Sequence, residues 1–204
     1  MKTLVTITGP SASGKSTLER YLAQAGMNRL VSTTSRPMRA GEVDGQHYHF
    51  VSEKQFRQRV ETGQMLEWKK FNGNLYGLER AEFTRKTASG PAVLVVEPNG
   101  AGRFIRMGKA YGMRVISVFV DSPLNTLLER YEKRIESGEM SEEQACKRIR
   151  GYFDEECEWK SRRRWSLYVR EFTALNEHLV VDAILDFAKP DQSRVLHYDR
   201  RFDR

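Results

Sequence analysis

Gly9-Pro10-Ser11-Ala12-Ser13-Gly14-Lys15-Ser16 is the stretch on which the fold turns. It has the form G-x-x-x-x-G-K-[ST], and each constrained position has its own physical reason. Gly9 and Gly14 permit backbone angles and a closeness of approach that a Cβ forbids. Successive N–H groups then converge on one point and cradle phosphate oxygens. A helix beginning near Ser16 adds the positive end of its dipole. Lys15 reaches the terminal phosphates of a nucleoside triphosphate, and the Ser16 hydroxyl is placed to ligate Mg2+. The flanks agree with this reading. Leu4 to Thr8 reads as a buried strand, and Ser16 to Gln24 as a helix with Leu18 and Leu22 one turn apart. Gly9, Ser11, Ser13, Gly14, Lys15, Ser16 and Thr17 are therefore the expected ATP contacts.

Outward from the loop, short apolar runs alternate with helical segments. Leu30 to Thr34, residues 45–51, Ala92 to Glu97, Arg114 to Val120, Leu179 to Ala183 and Val195 to Tyr198 read as strands. Met65 to Phe71 and Asn74 to Tyr76 read as a hairpin across Asn72-Gly73. Ser52 with Gln55, and Ser141 with Gln144, are capping-box signals; the first opens a helix to about Thr62, the second one of a dozen residues or more. Glu79 to Ser89 reads as a helix stopped by Gly90-Pro91. Ser122-Pro123 opens another, with Pro at its first position, running to Ser137. The pattern is α/β: a parallel sheet flanked by helices, of P-loop kinase type. Residues 1–204 read as one domain. Residues 35–90 break the rhythm as an inserted, small, β-rich lobe, and residues 122–150 read as helical.

The 204 residues are 39% hydrophobic and 30% charged, with a formal net charge of +7. This excludes neither a polyanion-binding surface nor a site that holds several phosphates. Lys160 and Arg162 to Arg164 form one basic cluster, and Arg200, Arg201 and Arg204 another; both read as solvated surface, and nucleic acid is not the expected partner. No apolar run approaches the roughly 18 residues of a membrane span, and Leu4 to Thr8 is too short for a signal-peptide core. The expected compartment is the cytoplasm. Cys146 and Cys157 read as ordinary thiols.

The block Ser32-Thr33-Thr34-Ser35-Arg36-Pro37-Met38-Arg39-Ala40-Gly41-Glu42-Val43-Asp44-Gly45-Gln46-His47-Tyr48-His49-Phe50 carries two arginines three apart, a pattern that grips one phosphate by charge-assisted bonds. It resembles the substrate-phosphate segment of the guanylate kinase family, S-x-T-T-R-x-x-R-x-G-E-x-x-G-x-x-Y-x-F, with Ser35 for the second Thr. The resemblance continues through Gly63-Gln64-Met65-Leu66-Glu67-Trp68, similar to G-x-x-L-E-W, and Asn72-Gly73-Asn74-Leu75-Tyr76-Gly77, similar to G-N-x-Y-G. It covers about residues 1–150; by it, residues 35–90 would be the acceptor-binding lobe, and residues 122–150 are similar in pattern to the family's helical lid. It implies a nucleoside monophosphate kinase using ATP and Mg2+ on GMP or dGMP, as a monomer or homodimer. Arg36, Arg39, Tyr48 and Tyr76 would hold the acceptor phosphate, while Ser32 and Glu67 read the base. A carboxylate accepts from guanine N1–H and the 2-amino group together, a donor pair that adenine lacks. Lys15, Arg36, Arg39, Arg134 and Arg148 are the expected catalytic set, with Arg130 a further lid candidate. No general base is needed, because the acceptor is already a phosphate oxygen.

The chain departs from the family pattern at several positions. Leu78 stands where the family usually has a Ser or Thr that contacts the base, and leucine cannot donate to guanine O6. Glu97 stands for the Asp of D-x-x-G, where it would serve substrate or Mg2+, and Val95 for a second acidic residue. Asp182 takes the place of an Asn near the ATP adenine. Residues 151–176 read as an insertion, a helix packing Trp159, Trp165, Tyr168 and Phe172 inward. These departures keep one alternative open, the same chemistry on a modified or other nucleotide or a phosphorylated sugar. The resemblance itself leaves another, a non-catalytic binding module, although such modules typically have a degraded P-loop and Gly14, Lys15 and Ser16 are present here.

Overall fold

The computed structural model describes residues 2–189 apart from 40, 72, 162–166 and 174. Thr3–Thr8 forms β1, with every residue buried. Both of its faces are covered, as a central parallel strand requires. The chain then runs through α1 (Lys15–Gln24), β2 (Asn28–Arg29), β3 (Thr33–Thr34), β4 (His49–Phe50), α2 (Glu53–Glu61), β5 (Met65–Phe71) and β6 (Asn74–Glu79). It continues through α3 (Arg80–Ala88), β7 (Ala92–Val95), α4 (Pro98–Tyr111), β8 (Arg114–Asp121), α5 (Leu124–Glu136), α6 (Glu142–Asp154), a 3-10 turn (Glu156–Glu158), β9 (Leu167–Arg170) and α7 (Glu177–Ala188).

Five strands pair in the order β2-β7-β1-β8-β9, all parallel. Because β7 and β8 flank β1 on opposite sides, the carboxyl end of β1 is a switch point of the sheet, where open α/β folds bind ligands. Side chains alternate between the faces. Val5 and Ile7 pack with Leu18, Leu22, Val118 and Ile184 beneath α1 and α7. Leu4 packs on the other face with Leu30, Leu78, Leu94 and Phe104. Thr6 and Ser117, opposite each other in register, satisfy their hydroxyls with a 2.8 Å hydrogen bond.

A second sheet, ordered β4-β3-β6-β5, stands beside the first. β5 and β6 are antiparallel, and Phe56 of α2 packs with Met65 and Leu75 beneath them. The capping box at Ser52 is complete: its hydroxyl accepts from the Gln55 amide and the Gln55 side chain accepts from the Ser52 amide. Gly77 is required by packing, because a Cβ there would lie 2.5 Å from the Glu67 carbonyl oxygen.

Several expected elements are corrected. Leu179 to Ala183 is not a strand: it lies inside α7. Its apolar run is equally consistent with a buried helix face, and Ile184 turns that face onto the sheet. Of residues 30–34 only Thr33–Thr34 is strand: β2 ends at Arg29 in the first sheet and β3 belongs to the second, with Leu30 to Ser32 linking them. Only His49–Phe50 of 45–51 is strand. Pro123 is the N-cap of α5 and not its first residue. The helix α4 and strand β9 have no counterpart in the sequence reading. Residues 151–176 do not form one helix: after α6 comes the 3-10 turn and then the edge strand β9. Trp159 and Phe172 are buried, whereas Tyr168 is exposed and stacks on Phe119. Trp165, Arg162 to Arg164, and Val195 to Tyr198 lie outside the described residues. Cys146 and Cys157 are free and exposed. No helix among the described residues is long and apolar enough to cross a membrane.

Candidate active site

Gly9 adopts φ +145°, and a Cβ there would stand 2.0 Å from the Val120 carbonyl oxygen at the end of β8. Only glycine lets the loop lie this close to the sheet. Gly14, at φ 102°, caps α1 with no side-chain hydrogen bond, and the first turn holds no acidic residue. The first amides of α1 are therefore left for an anion from outside. The Ser11 amide shows this appetite directly: it donates to a carboxylate oxygen of Glu156 at 2.8 Å. Lys15 is half-buried in the cradle and donates to the Pro10 carbonyl. Burial pushes its ammonium down to about 8; the Glu156 carboxylate works against this, and Arg148 and Arg134 add to it. Burial also pushes the Glu156 carboxyl up, against the Ser11 amide and Lys15.

The loop opens on a cleft of about 970 Å³ that runs to the second sheet. Gly9, Ser11, Gly14, Lys15, Ser16 and Thr17 line it. Ser13 does not: it is fully buried, and its hydroxyl has no hydrogen-bond partner. Across the cleft stand Ser32, Arg36, Arg39, Tyr48, Glu67, Tyr76 and Glu97. Register explains the grouping. β3 pairs Thr34 with both Phe50 and Tyr76, which brings Tyr48 and Tyr76 edge to face at 5.9 Å. The Arg36 guanidinium lies 5.6 Å over the Tyr48 ring and donates to both Glu42 oxygens at 2.7 and 2.9 Å. The Glu42 carboxylate also accepts from the Arg39 amide. Glu42 thus orients the arginine pair, a role that its place in the Gly41-Glu42 motif did not disclose. Burial works against the Glu42 carboxylate, but Arg36 overrides it and holds its pKa below the usual range.

Arg134 and Arg148 also line the cleft, from α5 and α6. Arg148 Nη1 approaches the Ser11 hydroxyl at 3.3 Å. Its guanidinium pKa is lowered, first by burial and then by Arg39, Arg134 and Arg36, so four arginines converge on one space. Arg130 is different. Its guanidinium donates to the carbonyls of Ala12 and Phe172 and to the Ser122 hydroxyl, bracing the loop from behind. Ala12 is held at φ 65°, an uncommon angle for a residue with a Cβ.

Glu67 is a strongly perturbed acid on the acceptor side. Burial pushes its carboxyl up to about 7; Arg103 opposes this and Glu97 adds to it. Glu97 is the N-cap of α4, accepting from the Asn99 and Gly100 amides at 2.9 and 2.7 Å. Its expected role toward substrate or Mg2+ meets a carboxylate already engaged, although the residue lines the cleft. Leu78 is fully buried and packs with Leu4, Leu30 and Leu94, away from the cleft. Asp182 likewise sits on the exposed face of α7 and lines no part of the cleft. Sequence reading missed Lys69, Phe71 and Trp159, all in the lining. The period-two spacing from Glu67 could have found the first two; Trp159 arrives only through the turn after α6.

A P-loop at the switch point of a parallel sheet, facing a cluster of arginines across one cleft, defines a P-loop nucleotide phosphotransferase. The guanylate kinase family model matches residues 1–159. The guanylate kinase of Symbiobacterium thermophilum is 38% identical over 149 residues, covering 72% of this chain and 68% of that protein. That of Helicobacter pylori is 34% identical over 157 residues, covering 76% and 74%. The crystal structure of guanylate kinase from Anaplasma phagocytophilum matches with a TM-score of 0.67 over 96% of this chain and 88% of that one, at 21% identity, which speaks to the fold. The chain belongs to the guanylate kinase family.

Proposed function

We propose that the protein transfers the γ-phosphoryl group of ATP to the phosphate of GMP or dGMP, giving ADP and the nucleoside diphosphate. The observation that carries this is the single cleft in which the phosphate loop faces Arg36, Arg39, Tyr48, Tyr76 and Glu67. The loop fits a triphosphate: the Ser11 amide already takes an anionic oxygen, the α1 amides have no side-chain cap, and Lys15 lies among them. Ser16 lines the same wall and is the residue that would ligate Mg2+. Mg2+ held there would supply charge neutralisation to the phosphates during transfer.

The remaining work falls to this chain's own side chains. Arg36, fixed by Glu42 and the Pro37 carbonyl and stacked on Tyr48, holds the acceptor phosphate together with Arg39 and the two tyrosines. Arg134 and Arg148 stabilise charge on the group in transit. Ser32 and Glu67 read the base; an ionised Glu67 takes guanine N1–H and the 2-amino group at once. No side chain is asked to remove a proton, because the attacking atom is a phosphate oxygen.

The test is ADP release from ATP and Mg2+ against a panel of ribo- and deoxynucleoside monophosphates, with Lys15→Ala as control. GMP and dGMP are the expected acceptors, and the control is expected to fall by orders of magnitude while remaining folded. Turnover on another acceptor only, or undiminished turnover by folded Lys15→Ala, would overturn the assignment.

A further inference from the structure

We propose that Lys69 is the residue that reads the 6-oxo group of the acceptor base, and so selects 6-oxopurines over 6-aminopurines. The inference rests on the guanine assignment above and adds the donor which that assignment lacks. Glu67 satisfies the N1–H and 2-amino group of guanine, but the next atom along the same edge, O6, is an acceptor and needs a donor from the protein. Leucine at position 78 supplies none, both by its chemistry and because its side chain is turned into the core against Leu4 and Leu94.

Lys69 stands where such a donor is required. Residues two apart in a strand share a face at a spacing of about 7 Å, and in β5 the alternation places Glu67, Lys69 and Phe71 on the cleft while Trp68 and Lys70 are exposed. The arm of Lys69 is held without being used up. Its Nζ lies 4.6 Å from the centre of the Phe71 ring, 5.9 Å from that of Trp159, and 3.7 Å from a Glu97 oxygen. The last distance is too long for a hydrogen bond, and both Glu97 oxygens already accept backbone amides of α4. Among the described residues, no hydrogen bond occupies the ammonium protons. The rings favour a cation by their electron-rich faces, and the carboxylate sets where the charge sits. Arg103, the other cation beside Glu67 at 3.9 Å, directs Nη1 to the Trp68 carbonyl and lies outside the cleft lining.

An ammonium in this position donates to O6 and repels the amino group that adenine carries at the same atom. Rejection of the wrong group is then an unpaired, repelled donor and not merely a lost contact.

The experiment pairs one side chain with one ligand atom, using the full chain. GMP and 6-thio-GMP share N1–H and the 2-amino group and differ only at the acceptor on C6. Wild type and Lys69→Met are assayed on both, with Lys69→Arg as a variant that keeps the charge. Lys69→Met is expected to lower kcat/KM for GMP about 10- to 100-fold, the range for a hydrogen bond to a charged group, chiefly through KM. It should lower kcat/KM for 6-thio-GMP less than about 3-fold, because sulfur is the weaker acceptor. Lys69→Arg should recover part of the GMP loss. An equal fall on both nucleotides, or no fall on GMP, overturns the proposal by assigning Lys69 a packing role or none. If wild type does not use GMP at all, the guanine assignment itself fails, a result distinct from either.

Discussion

Glu67→Gln should make the protein more stable and less active, and the size of each effect follows from burial. The Glu67 carboxyl is raised from an ordinary 4.5 to about 7 because its ionised form is buried, and the cations Arg103, at 3.9 Å, and Lys69 offset the loss of water only in part. A shift of that size corresponds to about 3 kcal/mol. Its sign is opposite to that of a salt-bridged acid. Between pH 4.5 and 7 the folded chain holds a proton at Glu67 that the unfolded chain has released, so stability falls as pH rises through this window. Above about pH 7 the full penalty is in force. Glutamine has the shape of the protonated acid and carries no charge, so it should relieve about 2–3 kcal/mol at pH 8 and almost nothing near pH 4.5. For a chain of this length each kcal/mol moves Tm by about 2–4 °C. The expected gain at pH 8 is therefore about 5–10 °C by thermal unfolding. On GMP, glutamine offers one acceptor where two donors arrive and turns its own amide protons toward the other, and kcat/KM should fall about 100-fold or more. If wild type and variant lose stability in parallel between pH 5 and pH 8, Glu67 is not the buried acid described above.

Two further outcomes are expected. Leu78→Ser should cost about 3 kcal/mol or more, since it empties a fully buried site and leaves a hydroxyl there, yet leave the ratio of kcat/KM for GMP over AMP unchanged at a temperature where the variant is folded; a changed ratio would return position 78 to the base pocket. The Lys15 ammonium, held down to about 8 by burial, is charged below that pH and lost above it. ATP affinity measured by calorimetry should therefore weaken up to about tenfold from pH 7 to pH 9 in wild type but not in Lys15→Arg, whose charge persists; the same weakening in both would clear Lys15.

The sequence by itself determined the parts whose physics is local. The glycines, lysine and serine of the phosphate loop sit within eight residues, so their spacing alone announces the cradle, and the strand and helix around it follow from short-range periodicity. The capping box at Ser52 and the antiparallel pairing of β5 with β6 are equally local, and both stand as read. Arg36, Arg39 and the motifs through Tyr76 were legible because each binding motif is continuous in the chain.

Tertiary structure decided whatever depends on which way a side chain turns or on what packs against it. Leu78 follows Tyr76 in the same strand, two residues on, but lies beyond Gly77, where β5 bulges between Met65 and Glu67, and it packs into the main core. Leu179 to Ala183 carries enough apolar residues for a strand, and only the sheet beneath it made it a helix face. Arg130 and Arg148 look alike in sequence, yet one braces loop carbonyls from behind and the other enters the cleft. Glu156 and Trp159 reach the site from a turn some 140 residues beyond the phosphate loop. No spacing rule links such distant positions; contact between them exists only once the sheet has set the two ends of the chain side by side.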